Sequence, residues 1–279
     1  MIQTIPSKFN QFPVYYNTGG SPEPPGPDYS AMPLTLSAFN GDVSINFGGS
    51  SSVSLDKLYY SLNNGTWTKW GSTNSVTVNK DETISFSGIL SSTSTSSYRS
   101  FTKYSGNGSI IAYGNASSIR NYTDTCPSYA FVSLFQAFTA LVDASNLILP
   151  YKTVAEECYR NMFRGCTALT AAPQLPATGL AKGCYNAMFS GCTALSTAPD
   201  LPATTLVQEC YWTMFRRCTN LNKINVSFTA WTGSYVTSDW VRDVQTNAGT
   251  FICPTALGTN ATIERGNSRC PSGWTVVNK

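Results

Sequence analysis

Apolar and polar residues alternate in short runs from Leu34 to about Tyr113, and turn formers interrupt them every several residues. That rhythm, rich in Val, Ile, Thr and aromatics, predicts strands over 34–39, 43–47, 58–62, 66–70, 75–79, 83–87 and 109–113. Asn63-Asn64-Gly65 is a hairpin signal, because Asn and Gly tolerate the positive φ of a tight turn. Seven short strands in this span predict an antiparallel sandwich of immunoglobulin-like size. Trp67 and Trp70 differ in parity, which places them on opposite faces of one strand, one in the core and the other half-exposed. The Ser/Thr run 91–97 reads as a loop.

Further on the rhythm changes. Apolar residues recur every four positions: Val154, Cys158 and Met162 make one row, and Ala155, Tyr159 and Phe163 the next. A wide apolar face at that spacing predicts a helix over about 154–164. The segment belongs to a repeat. Cys158, Cys184 and Cys210 are spaced by 26 residues, as are Cys166, Cys192 and Cys218. Met162-Phe163, Met188-Phe189 and Met214-Phe215 fall between them in the same register, and Leu169, Leu195 and Leu221 follow. Pro173 and Pro176, then Pro199 and Pro202, mark extended rungs that can be only partly hydrogen bonded, since proline has no N–H. A degenerate copy lies 28 residues upstream, where Leu134-Phe135 matches Met162-Phe163, with Ala130 in place of Cys158 and Phe138 in place of Cys166.

Both cysteines vanish together in that first copy, which suits either a disulfide within the pair or two buried thiols replaced by apolar side chains. On a helix Cys158 and Cys166 stand roughly 12 Å apart, beyond the limit of about 7 Å for a bridge. The favoured expectation is therefore free thiols stacked from unit to unit as small buried hydrophobes. A spacing of eight without histidine does not resemble a zinc knuckle. The nine cysteines include Cys126, Cys253 and Cys270 outside the repeats. Reduced cysteines suit a protein assembled inside a cell or in an anaerobic setting.

Composition narrows the chemistry. The 279 residues contain no histidine, which removes Ser-His-Asp triads, Cys-His pairs and His-bearing metal sites. Carboxylate-pair catalysis survives that test, because it needs only two of the 15 Asp and Glu side chains facing each other across a cleft. The charged fraction is 12% and the net charge +3, with no basic run beyond Arg216-Arg217, so no nucleic-acid footprint is present. No stretch approaches the roughly 20 apolar residues of a membrane span, and membrane insertion is not expected. Residues 1–17 lack the pattern of a secretory signal, so export by the ordinary route is not expected if Met1 is the native start.

Residues 1–30 are dominated by Pro and Gly and read as an extended arm or linker. Apolar beads at Ile2, Ile5, Phe9 and Phe12, continued by Val14, Tyr15 and Tyr16, are candidate docking contacts to a partner. The expected division is arm 1–30, β-sandwich 31–122, repeat region 123–232 and C-terminal capping segment 233–279.

The units Glu157-Cys158-Tyr159, Asn161-Met162-Phe163, Gly165-Cys166-Thr167-Ala168-Leu169 and Ala172-Pro173-Gln174-Leu175-Pro176-Ala177 resemble the BspA-like leucine-rich repeats of gut bacterial surface proteins and their phages. Flanking segments carry the resemblance further: Tyr60–Trp67 with 106–115 looks like the β-domain that often precedes such repeats, and Gly249-Thr250-Phe251 with Pro271–Val276 looks like their usual ending. The resemblance covers about 34–279 and implies a multi-domain chain: an all-β immunoglobulin-like sandwich followed by a short α/β leucine-rich-repeat-like solenoid.

It also implies binding at a cell or particle surface, with no enzyme activity and no cofactor. The leading expectation is a virion accessory protein of a phage, in which the arm meets other virion proteins and the repeats meet a host-surface glycan or protein, with homo-oligomer formation compatible. A bacterial cell-surface adhesin and a glycan-processing enzyme with paired carboxylates are the alternatives.

Within the repeats the core positions are Cys158, Met162, Phe163, Cys166, Cys184, Met188, Phe189, Cys192, Cys210, Met214, Phe215 and Cys218. The outward positions vary: Arg160, Asn186 and Trp212 are equivalent, as are Arg164, Ser190 and Arg216. Arg160, Arg164, Trp212, Arg216 and Arg217 are the candidate ligand-face residues, because an exposed Trp beside Arg can stack on a sugar or anchor a protein contact. The competing reading has them as ordinary solvated positions, with Trp212 packed against the terminal segment.

Overall fold

The computed structural model describes residues 32–49, 53–71, 75–90, 97–245 and 248–279. The docking-arm candidates Ile2, Ile5, Phe9 and Phe12, and the arm 1–30 as a whole, lie outside the described residues. The described chain is mostly β, with three sheets and no α-helix among the described residues.

The first part contains β1 (Leu34–Phe39), β2 (Val43–Gly49), β3 (Leu58–Leu62), β4 (Thr68–Lys69), β5 (Val76–Val78), β6 (Thr83–Gly88), β7 (Arg99–Gly106) and β8 (Ser109–Asn115). Strands β5-β2-β7 form one antiparallel sheet, and β4-β3-β6-β1-β8 form most of another. Their apolar faces meet at Phe47 of β2, Phe86 of β6 and Phe101 of β7, whose ring centroids lie 4.3–5.7 Å apart. Asn63 and Asn64 both have positive φ in the β3–β4 turn, which Gly65 N–H closes on Leu62 O at 2.8 Å. Trp70 is buried and Trp67 is 46% exposed, but β4 covers only Thr68–Lys69, both exposed, so the two indoles flank the strand and no alternation along it separates them. Strand β7 has no counterpart in the sequence reading.

The sheet does not stop at β8. Strand β9 (Leu141–Ile148), from the region of the degenerate repeat, joins its edge in parallel with β8. Phe101 N–H also donates to Leu134 O at 2.8 Å, and the Phe101 and Phe135 rings stack at 5.2 Å. The sandwich and the first repeat unit thus share backbone hydrogen bonds and a core. At the far end β10 (Lys223–Asn225), β11 (Thr250–Cys253) and β12 (Thr275–Asn278) form a parallel sheet. Among the described residues the proline-bearing rungs between form no ladder, only isolated bridges such as Asp143–Ala171 and Thr197–Lys223, beside side-chain bonds such as Thr170 Oγ1 to Val142 O at 2.9 Å.

The helix expected over 154–164 is absent, and a ladder of turns stands in its place. Glu157, Asn161 and Gly165 have φ of 55°, 56° and 75°. A left-handed residue at every fourth position is incompatible with an α-helix, which needs φ near −63° throughout. Even-numbered residues bond within the unit, as in Met162 N–H to Tyr159 O at 3.2 Å and Cys166 N–H to Phe163 O at 3.0 Å. Odd-numbered residues donate to the next unit: Tyr159 to Cys184 O, Asn161 to Asn186 O, Phe163 to Met188 O and Gly165 to Ser190 O, at 2.8–2.9 Å. Side chains therefore go inward in pairs and outward in pairs. Cys158-Tyr159 and Met162-Phe163 are buried, whereas Arg160-Asn161 and Arg164-Gly165 are not.

The same bonding recurs beyond the sequence-recognisable copies. Tyr211 N–H donates to Val236 O at 2.9 Å and Phe215 N–H to Trp240 O at 2.7 Å, with Tyr235, Asp239 and Asp243 at positive φ. Upstream, Phe131 N–H reaches Cys158 O and Phe135 N–H reaches Met162 O, both at 2.8 Å. Stacked in this way, Phe135, Phe163, Phe189 and Phe215 form one row of near-parallel rings 5.3–5.8 Å apart. Phe131, Tyr159, Tyr185 and Tyr211 form a second at 5.3–6.0 Å.

All twelve predicted core positions are buried, but their cysteines do more than fill volume. Cys158 is bridged to Cys126 in a disulfide, which corrects the expectation of a free thiol there. The two residues belong to successive units, so the separation along one unit that argued against a bridge does not apply. Cys166, Cys192 and Cys218 are free, and each donates its S–H to a carbonyl of the preceding unit: Phe135, Phe163 and Phe189 at 2.9, 3.1 and 3.1 Å. Burial pushes the Cys166 and Cys218 thiols up to about 12 and that of Cys210 up to about 11. At pH 8 the native protein is expected to show no fast-reacting thiol toward DTNB, with all seven free cysteines titrating after denaturation. A fast native fraction would contradict this packing.

Candidate functional site

The outward pairs of three successive units converge on a shallow groove of about 170 Å³, lined by Arg160, Asn161, Arg164, Asn186, Ala187, Ser190, Trp212, Thr213 and Arg216. Four of the five predicted ligand-face residues, Arg160, Arg164, Trp212 and Arg216, meet there. Arg217 does not: it holds a left-handed turn position, is exposed, and lies 3.7 Å from Asp243. Trp212 is 38% exposed and its ring lies 6.1 Å from that of Tyr235, so it contacts the terminal segment and remains open to the groove. Asn161 and Thr213 were not among the predicted residues. They enter the groove because each occupies the left-handed corner between an outward residue and the next inward pair.

Behind the groove Arg160 Nη1 donates to both carboxylate oxygens of Glu157 at 3.0 and 3.1 Å. Glu157 is buried, and the equivalent position above it is Gly183, where a Cβ would come within 2.5 Å of Glu157 Oε1. Glycine there makes the room that the carboxylate occupies. Burial raises the Glu157 pKa; the Arg160 hydrogen bond and charge oppose the shift, while Glu209 and Glu156 add to it. A raised folded-state value means that the folded protein holds this proton more tightly than the unfolded chain does. The contribution to stability therefore grows as pH falls through that value and is smallest at neutral pH. Relative to Glu157→Gln, the melting temperature of the wild type is expected to move upward as the pH is lowered from 7 toward 4. Movement in the opposite direction would show that the pairing with Arg160 outweighs burial.

Three polar atoms around the groove are buried and have no hydrogen-bond partner among the described residues: Arg160 Nε, Asn186 Nδ2 and Arg216 Nε. All three are donors, and Asn186 as a residue is only 4% exposed. No carboxylate and no nucleophilic thiol lines the groove. A larger hollow of about 470 Å³ lies at the other end, lined by Asn222, Ala248, Gly249, Thr250, Gly273 and Thr275 without any charged side chain. No group of three or more Cys, Asp or Glu side chains among the described residues could hold a metal ion.

Comparison of the chain with protein families, with curated proteins and with solved structures finds no match.

Proposed function

We propose that this chain is a non-enzymatic binding protein that displays the groove of its repeat region toward a surface glycan or protein. The observation that carries the reading is the groove itself. Invariant inward pairs fix three units in register, and on that scaffold the equivalent outward residues differ, Arg160 against Asn186 against Trp212. A rigid frame with varied outward side chains is how repeat proteins build binding faces. The lining offers donors and an aromatic ring, and lacks the facing carboxylates that glycoside hydrolysis needs. The repeat region, in this proposal, is a leucine-rich-repeat-like solenoid whose usual helices are replaced by turns, and the preceding sheets are an immunoglobulin-like spacer.

The setting we propose is the surface of a phage particle, with residues 1–30 meeting other virion proteins. It rests on the resemblance of the repeats to those of gut phages and the bacteria they infect. Mass spectrometry of purified particles is the test, with copy number measured against the major capsid protein. A fixed stoichiometry supports the proposal, and recovery only in the bacterial envelope overturns it. That second outcome corresponds to an exported adhesin, a reading favoured by the Cys126–Cys158 disulfide, since such bonds persist in oxidising surroundings. Adhesion of the purified chain to host cells is expected to be lost in the double variant Trp212→Ala/Arg216→Ala.

A further inference from the structure

We propose that the groove is a subsite for an acid-bearing sugar ring, its carboxylate or sulfate held by Arg160, Arg164, Arg216 and Asn186 and its apolar face laid on Trp212. The inference deepens the binding role proposed above and rests on it. The unpartnered buried atoms decide the sign of the ligand. Arg160 Nε, Asn186 Nδ2 and Arg216 Nε are all N–H donors, and a buried donor left unpaired is costly, so the group that completes the site is an acceptor.

Charge points the same way. Three guanidinium groups line the groove, and among the described residues only Arg160 is ion-paired, by Glu157 from behind, through Nη1 and not through Nε. Guanidinium presents a planar fork of donors and no acceptor, which matches the paired oxygens of a carboxylate or sulfate. Size and Trp212 narrow the class further. About 170 Å³ of open groove gives room for the acidic end of one ring, with the rest of a longer sugar lying outside it. An inorganic anion or an acidic peptide has no use for an indole that is 38% exposed beside the arginines, whereas a pyranose ring has an apolar face to set against it.

The full chain is titrated calorimetrically at 50 mM salt with sialyllactose, digalacturonate and 6-sulfolactose, with lactose, inorganic sulfate and a tetraglutamate peptide as controls. At least one acidic sugar is expected to bind ten-fold or more tightly than lactose, and to weaken as the salt is raised to 300 mM. Which of the three binds distinguishes carboxylate from sulfate. Arg216→Ala is expected to weaken binding at least ten-fold and Trp212→Ala at least five-fold, with unchanged melting temperatures, while Arg217→Ala, outside the groove, leaves it unchanged. Equal affinity for lactose, equal affinity for sulfate or tetraglutamate, wild-type affinity in Arg216→Ala, or no binding of any acidic sugar would each overturn the proposal. Host-cell adhesion is scored separately on the same proteins. Adhesion that depends on Trp212 and Arg216 but shows no preference for acid removes the sugar assignment and leaves the binding role; absence of adhesion removes both.

Discussion

Phe189→Ala is expected to destabilise the protein by about 3–5 kcal/mol, the usual cost of deleting a buried phenyl ring. Phe189 is fully buried, between Phe163 at 5.4 Å and Phe215 at 5.8 Å. Neither neighbour can close the gap, because the backbone of each unit is pinned to the next by N–H groups on both sides of the ring, Ala187 to Trp212 O and Phe189 to Met214 O. For a chain of this length the change corresponds to a fall of roughly 6–20 °C in melting temperature. Tyr185→Phe, one row away in the same unit, is the control. Its hydroxyl is buried and has no partner among the described residues, so its removal is expected to leave the melting temperature equal or higher. Calorimetry of the two variants beside the wild type checks both. A mild Phe189→Ala would mean that the rows of rings are not tightly stacked.

The contrast between those rows and the sequence reading shows where pattern suffices. In the first half the turn at Asn63-Asn64 follows from residue chemistry, and the structure has it, whereas Trp67 and Trp70 lie outside the two-residue strand β4, so their different burial is not a period of two. Strand β7 leaves little pattern, because Ser/Thr-rich sequence precedes it and its only large buried side chain is Phe101, while Tyr104 on the same strand is 71% exposed. In the second half the inward residues were all identified, yet their backbone was not. At 100° per residue, positions four apart on a helix drift by only about 40° per step, so over three steps a helix and a run of four-residue turns make similar apolar rows. The doublets Cys158-Tyr159 and Met162-Phe163, alternating with the outward doublets Arg160-Asn161 and Arg164-Gly165, do not separate the two, since neighbours about 100° apart both fit on a wide apolar face of a helix.

The groove was legible to the same extent. Outward positions could be read from the repeat register, so Arg160, Arg164, Trp212 and Arg216 were found together. Arg217 has no such register support, because its equivalents are Gly165 and Gly191, and its left-handed turn position sends it to Asp243 outside the groove. The unpartnered amide of Asn186 has no sequence signal at all, because whether an outward asparagine finds a partner depends on what the units on either side present to it.

Thr213→Pro is expected to cost more than about 3 kcal/mol, and its companion Arg217→Gly to stabilise by about 1 kcal/mol. Both sit at left-handed positions of the third unit, with φ of 52° and 62°. Proline locks φ near −65° and removes the N–H that Thr213 donates to Ser238 O at 2.9 Å, so the third and fourth units lose a bond and a turn together. At Arg217 the equivalent residues are Gly165 and Gly191, also left-handed, and glycine there escapes the clash of Cβ with the following carbonyl. Proline would disrupt a helix as well, and Arg217 is equivalent to Gly165, just past the helix expected over 154–164, where a left-handed glycine also caps a helix. Glu209→Gly carries the discrimination, because Glu209 is equivalent to Glu157, inside that span, has φ of 59°, and stands where the second unit has the left-handed Gly183. In a helix it would lose roughly 0.5 kcal/mol through the poorer propensity of glycine, whereas in the turn ladder it is expected to gain about 1 kcal/mol. Chemical denaturation of Glu209→Gly decides between them, and a destabilised variant would restore the helix in place of the turn ladder.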